Sequence, residues 1–351
     1  MTPSSRKPAV TIYEIAEHVG VSPAAVSSVL ANRQVERRIG ENTARRIREA
    51  VEKLGYVPNM TGRRLRSQAS SARQFDLAIL TSFEAPLPFV WQALRAMQLE
   101  ADARASNDTR FTISIEMYHA GRLSEKPGLL SADRYHGVII TNTLPADDRF
   151  LAGAKLPYAS VVLGRSIPGY FCVHEIPDRE GRRSAELLLG AGCKKLAVIH
   201  GNLLTQATAN RIAAFREKAR AKTGRDPVLI KCKGFSAADA IRVLRGRFAR
   251  RWNCDGLFAI GDSLAVGACQ FFRQQGLEVP GDVAIVSTGD NELVEFIYPS
   301  LTVTSGSQDT MVVEAVPLLF SQLLGGRKTP PREILVESPV RVRDSTRRKK
   351  R

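Results

Sequence analysis

Apolar positions recur with a helical period near the start of the chain, and the rhythm changes from about Phe75 onward. Ile12, Ile15, Ala16 and Val19 fall on one helical face, and Gly20 stops that helix where a tight turn is needed. Thr11 with Glu14 three residues on fits a capping box, and Ser22 followed by Pro23 fits an N-cap plus first-turn proline, so both helix starts carry their own chemistry. Ala44, Ile47, Val51 and Leu54 give a third helix its core side. Two short helices joined by a glycine-containing turn form a helix-turn-helix, whose second helix enters a DNA major groove.

Beyond Phe75 short apolar runs alternate with amphipathic segments. The runs predict strands at 76–80, 111–115, 137–140, 159–163, 195–199, 228–230, 256–260 and 283–286, with helices near 89–105, 179–190, 208–221, 236–248 and 262–275. Strands alternating with helices mean parallel sheet covered on both faces. Eight strands are many for one small sheet, so the fold class expected is an α/β core of two doubly wound parallel-sheet subdomains behind an all-α helix-turn-helix headpiece.

Composition adds a partner class and removes others. The chain has 351 residues and a formal charge of +16, with arginines clustered at both ends: Arg33, Arg37, Arg38, Arg45, Arg46, Arg48, Arg63, Arg64 and Arg66 early, then the run ending at Arg351. Such a balance suits a polyanion. Cys172, Cys193, Cys232, Cys254 and Cys269 make an odd number with no C-x-x-C pair, which points to buried reduced thiols rather than a disulfide framework or zinc site. No leader-type apolar segment follows Arg6 and Lys7, and no stretch approaches the roughly 20 apolar residues that span a bilayer, so a cytoplasmic, nucleoid-associated protein with no membrane partner is expected. Enzyme signatures are missing: no G-x-G-x-x-G follows a strand, no P-loop or G-x-S-x-G occurs, and His174-Glu175 fails as a zinc motif because Asp178 holds its fifth position and Pro177 breaks a helix. Neither a cofactor nor a metal is implied.

The runs VTIYEIAEHVGVSPAAVSSVLAN and GENTARRIREAVEKLGYVPN, followed by RRLRS, resemble in order and without interruption the headpiece and hinge of the lactose-repressor/galactose-repressor (LacI/GalR) family of bacterial transcription regulators. Further echoes are HGVIITN, VVLGRS, PDREGRRSAELLLGAGCKKLAVIHG, ANRIAAFREKA, DGLFAIGDSLAVGA and GLEVPGDVAIVS, which carry the resemblance over nearly the whole chain. The resemblance implies a headpiece at 1–58, a hinge helix and linker at 59–74, and a core at 75–345 built like a type I periplasmic binding protein. Its lobes would comprise about 75–170 plus 302–335, and 171–301 plus 336–345, ahead of a basic, disordered tail at 346–351.

By the same resemblance Thr11, Tyr13, Ser22, Ser27, Thr43, Tyr56 and Asn59 match positions that meet phosphates, contacts that position without specifying. Leu65 matches the leucine that the hinge inserts into the minor groove, with Arg63, Arg64 and Arg66 on flanking phosphates. Gly62 stands where alanine is usual and costs a helix up to about 1 kcal/mol, so the hinge should order less readily. Pro23 and Ala24 offer only apolar contacts. Ser28 and Ala31 replace an arginine and an asparagine common in relatives, which shifts base discrimination toward the Leu65 wedge, DNA deformability and Arg33 or Arg37 in a loop about three residues longer than usual.

Effector contacts implied for the core are Arg211, Asp262, Asp290 and Asp178, with Phe83 and Phe89 available to stack on a ring. Gly261 and Gly289 occupy the first, ligand-facing position of two customary polar pairs, and Pro177-Asp178 alters a third, so the pocket should not read its ligand as sugar-responsive relatives do. Asp262 also fits a helix cap before Ser263. The C-terminus lacks tetramerising leucine heptads. The expectation is a homodimer on a pseudo-palindromic double-stranded DNA operator, a repressor whose affinity is modulated by a small-molecule effector, a sugar or sugar derivative, between the lobes. The alternative is a DNA-binding regulator whose core serves dimerisation or protein docking without such an effector.

Overall fold

The computed structural model describes residues 11–30, 39–54, 73–84, 87–248, 252–304, 308–325 and 330–348. The chain forms two compact units, Met1–Arg66 and Ser67–Arg351.

In the first unit α1 (Ile12–Val19), α2 (Pro23–Leu30) and α3 (Glu41–Leu54) enclose a small core of Ile15, Ala16, Val19, Val26, Val29, Ala44, Ile47 and Ala50. The capping box forms as the spacing predicts. The Glu14 backbone N–H donates to Thr11 Oγ1 at 3.3 Å, and the Thr11 backbone N–H donates to the Glu14 carboxylate at 2.6 Å. Gly20 takes the left-handed conformation (φ 74°) that ends α1, and the Ala25 N–H donates to Ser22 Oγ at 3.2 Å to open α2. Arg46 on α3 donates to the Val19 carbonyl at 2.8 Å, satisfying an end-of-helix acceptor of α1.

The second unit holds two all-parallel sheets. The first orders its six strands β11-β5-β4-β3-β1-β2, with β1 (Arg73–Ser82), β2 (Thr109–Tyr118), β3 (Gly137–Ile140), β4 (Ala159–Leu163), β5 (Phe171–His174) and β11 (Glu333–Leu335). The second orders five as β10-β9-β8-β6-β7, with β6 (Leu196–His200), β7 (Val228–Lys231), β8 (Gly256–Ala259), β9 (Ala284–Ser287) and β10 (Thr302–Val303). Alternate residues of one strand enter different cores: Leu77 and Ile79 pack on one face of the first sheet, Ala78 and Leu80 on the other. Both faces are therefore covered, which is why these strands read as continuous apolar runs rather than alternating ones.

Five features depart from the sequence expectation. Phe171–His174 belongs to the first sheet, so the chain leaves the first lobe after His174 rather than at Tyr170, and Thr302–Val303 pairs with β9 in the second lobe rather than the first. β1 begins at Arg73, two residues inside the segment assigned to the linker. The helix Gln308–Leu324 has no counterpart among the expected helices, and Pro317 lies inside it. Proline costs a helix interior about 3 kcal/mol, which the burial of Met311, Val312, Ala315, Val316, Leu319 and Phe320 in the first lobe outweighs. The end of the chain is no free tail as far as Arg348: Ser345 is fully buried, and the Arg348 guanidinium donates to the carbonyls of Pro280, Asp255 and Asp282. No helix among the described residues is long and apolar enough to cross a membrane.

Candidate functional site

In the headpiece, the burial of Val26 and Val29 leaves the opposite side of α2 outward. That side presents Ser22 and Ala24 exposed, with Pro23, Ser27 and Ser28 half-buried, and it carries no charge. Ser28 Oγ donates to the Ala24 carbonyl at 2.8 Å, so this serine is engaged with its own helix. Tyr13, in the first turn of α1, is 73% exposed, and Thr43 is half-buried on α3. Thr11 is occupied by the capping box and can offer a phosphate only what that box leaves free. Arg33, Arg37, Tyr56, Asn59, Gly62, Arg63 and Leu65 lie outside the described residues.

In the core, a cleft of about 540 Å³ opens where parallel strands of both sheets end. Ser82 closes β1, Asn142 and Arg165 follow β3 and β4, Glu175 follows β5, and in the other lobe Asp262 and Asp290 follow β8 and β9. The carboxyl ends of parallel strands are where open α/β folds take ligands. Asn142 carries a positive φ of 58°, alone among described non-glycine residues, and its amide donates to Thr81 Oγ1 at 3.3 Å. Backbone of that kind persists where surrounding structure holds it, as at binding sites.

Arg211, Asp262 and Asp290 line this cleft as the sequence places them, but each is already committed. Arg211 is bound by the fully buried Glu180 and lies 3.6 Å from Glu175. Asp290 is held by Arg341 at 2.6 Å and Arg343 at 2.9 Å, both from the returning C-terminal segment. Asp262 accepts from Ser287 Oγ at 2.8 Å and from the Asn291 N–H at 2.9 Å, and burial pushes its carboxyl up to about 6. It does not cap the following helix, because it is itself the first residue of Asp262–Gln274, with Gly261 at the N-cap.

The two glycines flanking these aspartates have a conformational cause. Gly261 and Gly289 adopt φ of 116° and 118°, and a Cβ on Gly289 would meet Asp262 Oδ2 at 2.4 Å. Asp178 is half-buried in the first turn of Pro177–Gly190 and is not part of the cleft lining. Phe83 is exposed and packs on His119 with ring centroids 5.1 Å apart, also away from the lining; the Phe89 side chain lies outside the described residues. The aromatic ring that does line the cleft is Phe235, and Arg165, Glu175 and Asn142 join it. Asn142 and Arg165 stand in the runs HGVIITN and VVLGRS that carry the family resemblance, whereas Glu175 and Phe235 stand in no such run.

A helix-turn-helix in one chain with a two-lobed α/β body, cleft at the strand ends, defines a DNA-binding regulator. Residues 11–59 match the family described as bacterial regulatory proteins, lacI family, and residues 185–346 match the periplasmic binding protein-like domain. The regulator CelR of Thermobifida fusca is 24% identical over 343 residues, covering 95% of this chain and 98% of that one; GntR of Pseudomonas aeruginosa is 26% identical over 342, covering 96% and 95%. In fold, the lac repressor dimer bound to operator and the anti-inducer ONPF aligns with a TM-score of 0.67 at 21% identity, over 97% of this chain and 99% of that one. The CelR–cellobiose complex aligns at 0.63 and 22% identity, over 96% and 99%. The chain belongs to the LacI family of bacterial helix-turn-helix transcription regulators, and it is a regulator rather than an enzyme.

Proposed function

We propose that the protein is a cytoplasmic repressor that binds a pseudo-palindromic operator as a homodimer and answers to a small molecule held between the lobes of its core. The observation that carries this is the cleft, open at the carboxyl ends of strands from both sheets. The cellobiose complex of CelR and the ONPF complex of the lac repressor support a small polar ligand in a body of this fold. A ligand that prefers one lobe arrangement shifts operator affinity by its differential affinity for the two states, and by no more.

On the DNA side, Ser22, Pro23, Ala24, Ser27 and Ser28 would face the major groove, with Thr11, Tyr13 and Thr43 near the backbone. Arg33, Tyr56, Asn59, Gly62 and Arg63 complete the interface with Leu65 as the central wedge, and the segment 59–74 acts as hinge and linker. With Ser28 tied to Ala24 and no charge on the outward face of α2, direct base reading is thin. DNase footprinting of the full-length protein on its own promoter region tests the proposal. A protected inverted repeat is expected, and no protection with or without a cell extract would sink it.

A further inference from the structure

Six charged side chains line the cleft among the described residues: Glu84, Arg165, Glu175, Arg211, Asp262 and Asp290. Four are carboxylates and two are arginines, inside a chain whose formal charge is +16. The groups directly behind them keep that sign. Arg165 faces Asp148 at 3.6 Å, and Arg211 faces Glu180 in addition to Glu175, so neither guanidinium is left to draw an anion. Arg341 and Arg343 neutralise Asp290. Asp262 has no direct ion pair among the described residues; its hydrogen-bond partners are a hydroxyl and a backbone N–H, desolvation disfavours its charge, and the more distant Arg343 that favours it is opposed by the Asp290 carboxylate.

A second, independent observation comes from the facing lobe. Ser82, 1% exposed, and Gln92 both line the cleft, and Ser82 Oγ and Gln92 Oε1 are buried with no hydrogen-bond partner among the described residues. Buried polar atoms in native proteins are nearly always paired, so two orphans on one wall mark places a ligand completes. Gln92 Oε1 and the Asp262 carboxylate only accept, while the Ser82 hydroxyl accepts as well as donates, so a group rich in donors is what can complete all three.

We propose that the cleft takes a small polar ligand bearing a protonated amine, whose ammonium group pairs with Asp262 while its remaining donors meet Ser82 and Gln92, and that it rejects carboxylate and phosphate analogues. This rests on the cleft being the effector site. An amine in that place supplies the direct ion pair Asp262 lacks, and an acid would meet excess negative charge in a desolvated cleft.

The test is isothermal titration of the full-length protein with matched triplets, glucose, glucosamine and glucuronate, then galactose, galactosamine and galacturonate. In parallel, relaxation of the Gly164, Gly261 and Gly289 amides is measured with a cationic and an anionic nitroxide probe, which needs no knowledge of the ligand. The amino member should bind at least about tenfold tighter than its neutral parent, the acid should not bind, and the cationic probe should relax the cleft amides more strongly. Asp262→Asn should abolish the amine preference while the protein remains folded by circular dichroism. Binding led by an acid, or an anionic probe enriched in the cleft, overturns the charge assignment and leaves the cleft as effector site. Amine binding that Asp262→Asn does not weaken places the ligand elsewhere and overturns both. No binding by any member, with the cationic probe still enriched, overturns the effector reading and this inference with it.

Discussion

The Asp262 carboxylate is ionised at pH 7.5 with no direct ion pair among the described residues, only the more distant Arg343 that Asp290 already holds, and that has a thermodynamic signature. Burial raises its pKa from 3.8 to about 6, so folding disfavours ionisation. The sign follows: the group costs nothing below about pH 4, where it is protonated folded or unfolded, and the cost grows as pH rises to 6 and then stays constant. Asp262→Asn should stabilise the protein at pH 7.5 by about 1 to 3 kcal/mol, with the gain fading toward pH 4. Urea melts of both proteins at several pH values check this, and a difference independent of pH would contradict it. The identities of Gly261 and Gly289 were legible in the sequence as departures from the family. Their cause was not, because it lies in a backbone angle and in the approach of Asp262 from another segment.

Among elements, Pro177–Gly190 carries the connections between the lobes. The first crossing runs directly into it from Glu175, its Ser184 Oγ lies 2.7 Å from Thr304 Oγ1 on the second, and its Glu180 and Arg183 bind Ser338 on the third. Glu180 is 1% exposed and also holds Arg211, so one buried carboxylate joins two helices and a crossing segment. Removing one member of a buried ion pair leaves its partner uncompensated, and Glu180→Gln should cost roughly 3 kcal/mol. A fall in the urea midpoint at unchanged slope registers it; unaltered stability would show the knot to be dispensable.

Elements of strong period were readable. The headpiece helices, the strands Gly137–Ile140 and Ala159–Leu163, and the helix from Asp262 follow the apolar pattern closely. Thr302–Val303 and Glu333–Leu335 are edge strands too short to show a period, and Pro317 disguised a buried helix. For the cleft, sequence resemblance located Arg211, Asp262 and Asp290 but not the groups that neutralise Arg211 and Asp290. Glu180 is 31 residues from Arg211, and Arg343 is 53 from Asp290, separations that only the assembled lobes close.

For the whole molecule, if the proposed interface holds, the uncharged outward face of α2 leaves more of operator recognition to the segment that carries Leu65. Leu65→Ala should reduce affinity for the operator at least about tenfold and leave affinity for random duplex nearly unchanged, because a wedge between base steps acts only on a deformable centre. Equal losses on both DNAs would refute the wedge. The coupling between cleft and headpiece is the claim on which the rest depends. Fluorescence anisotropy of the full-length protein on a labelled fragment of its promoter region, titrated with and without the small-molecule fraction of a cell extract, tests it most directly. The account predicts saturable, sequence-specific binding whose dissociation constant changes by about fivefold or more when that fraction is present, the span of ordinary allosteric coupling. Specific binding with an identical constant in both titrations would contradict it and leave the core a dimerisation body.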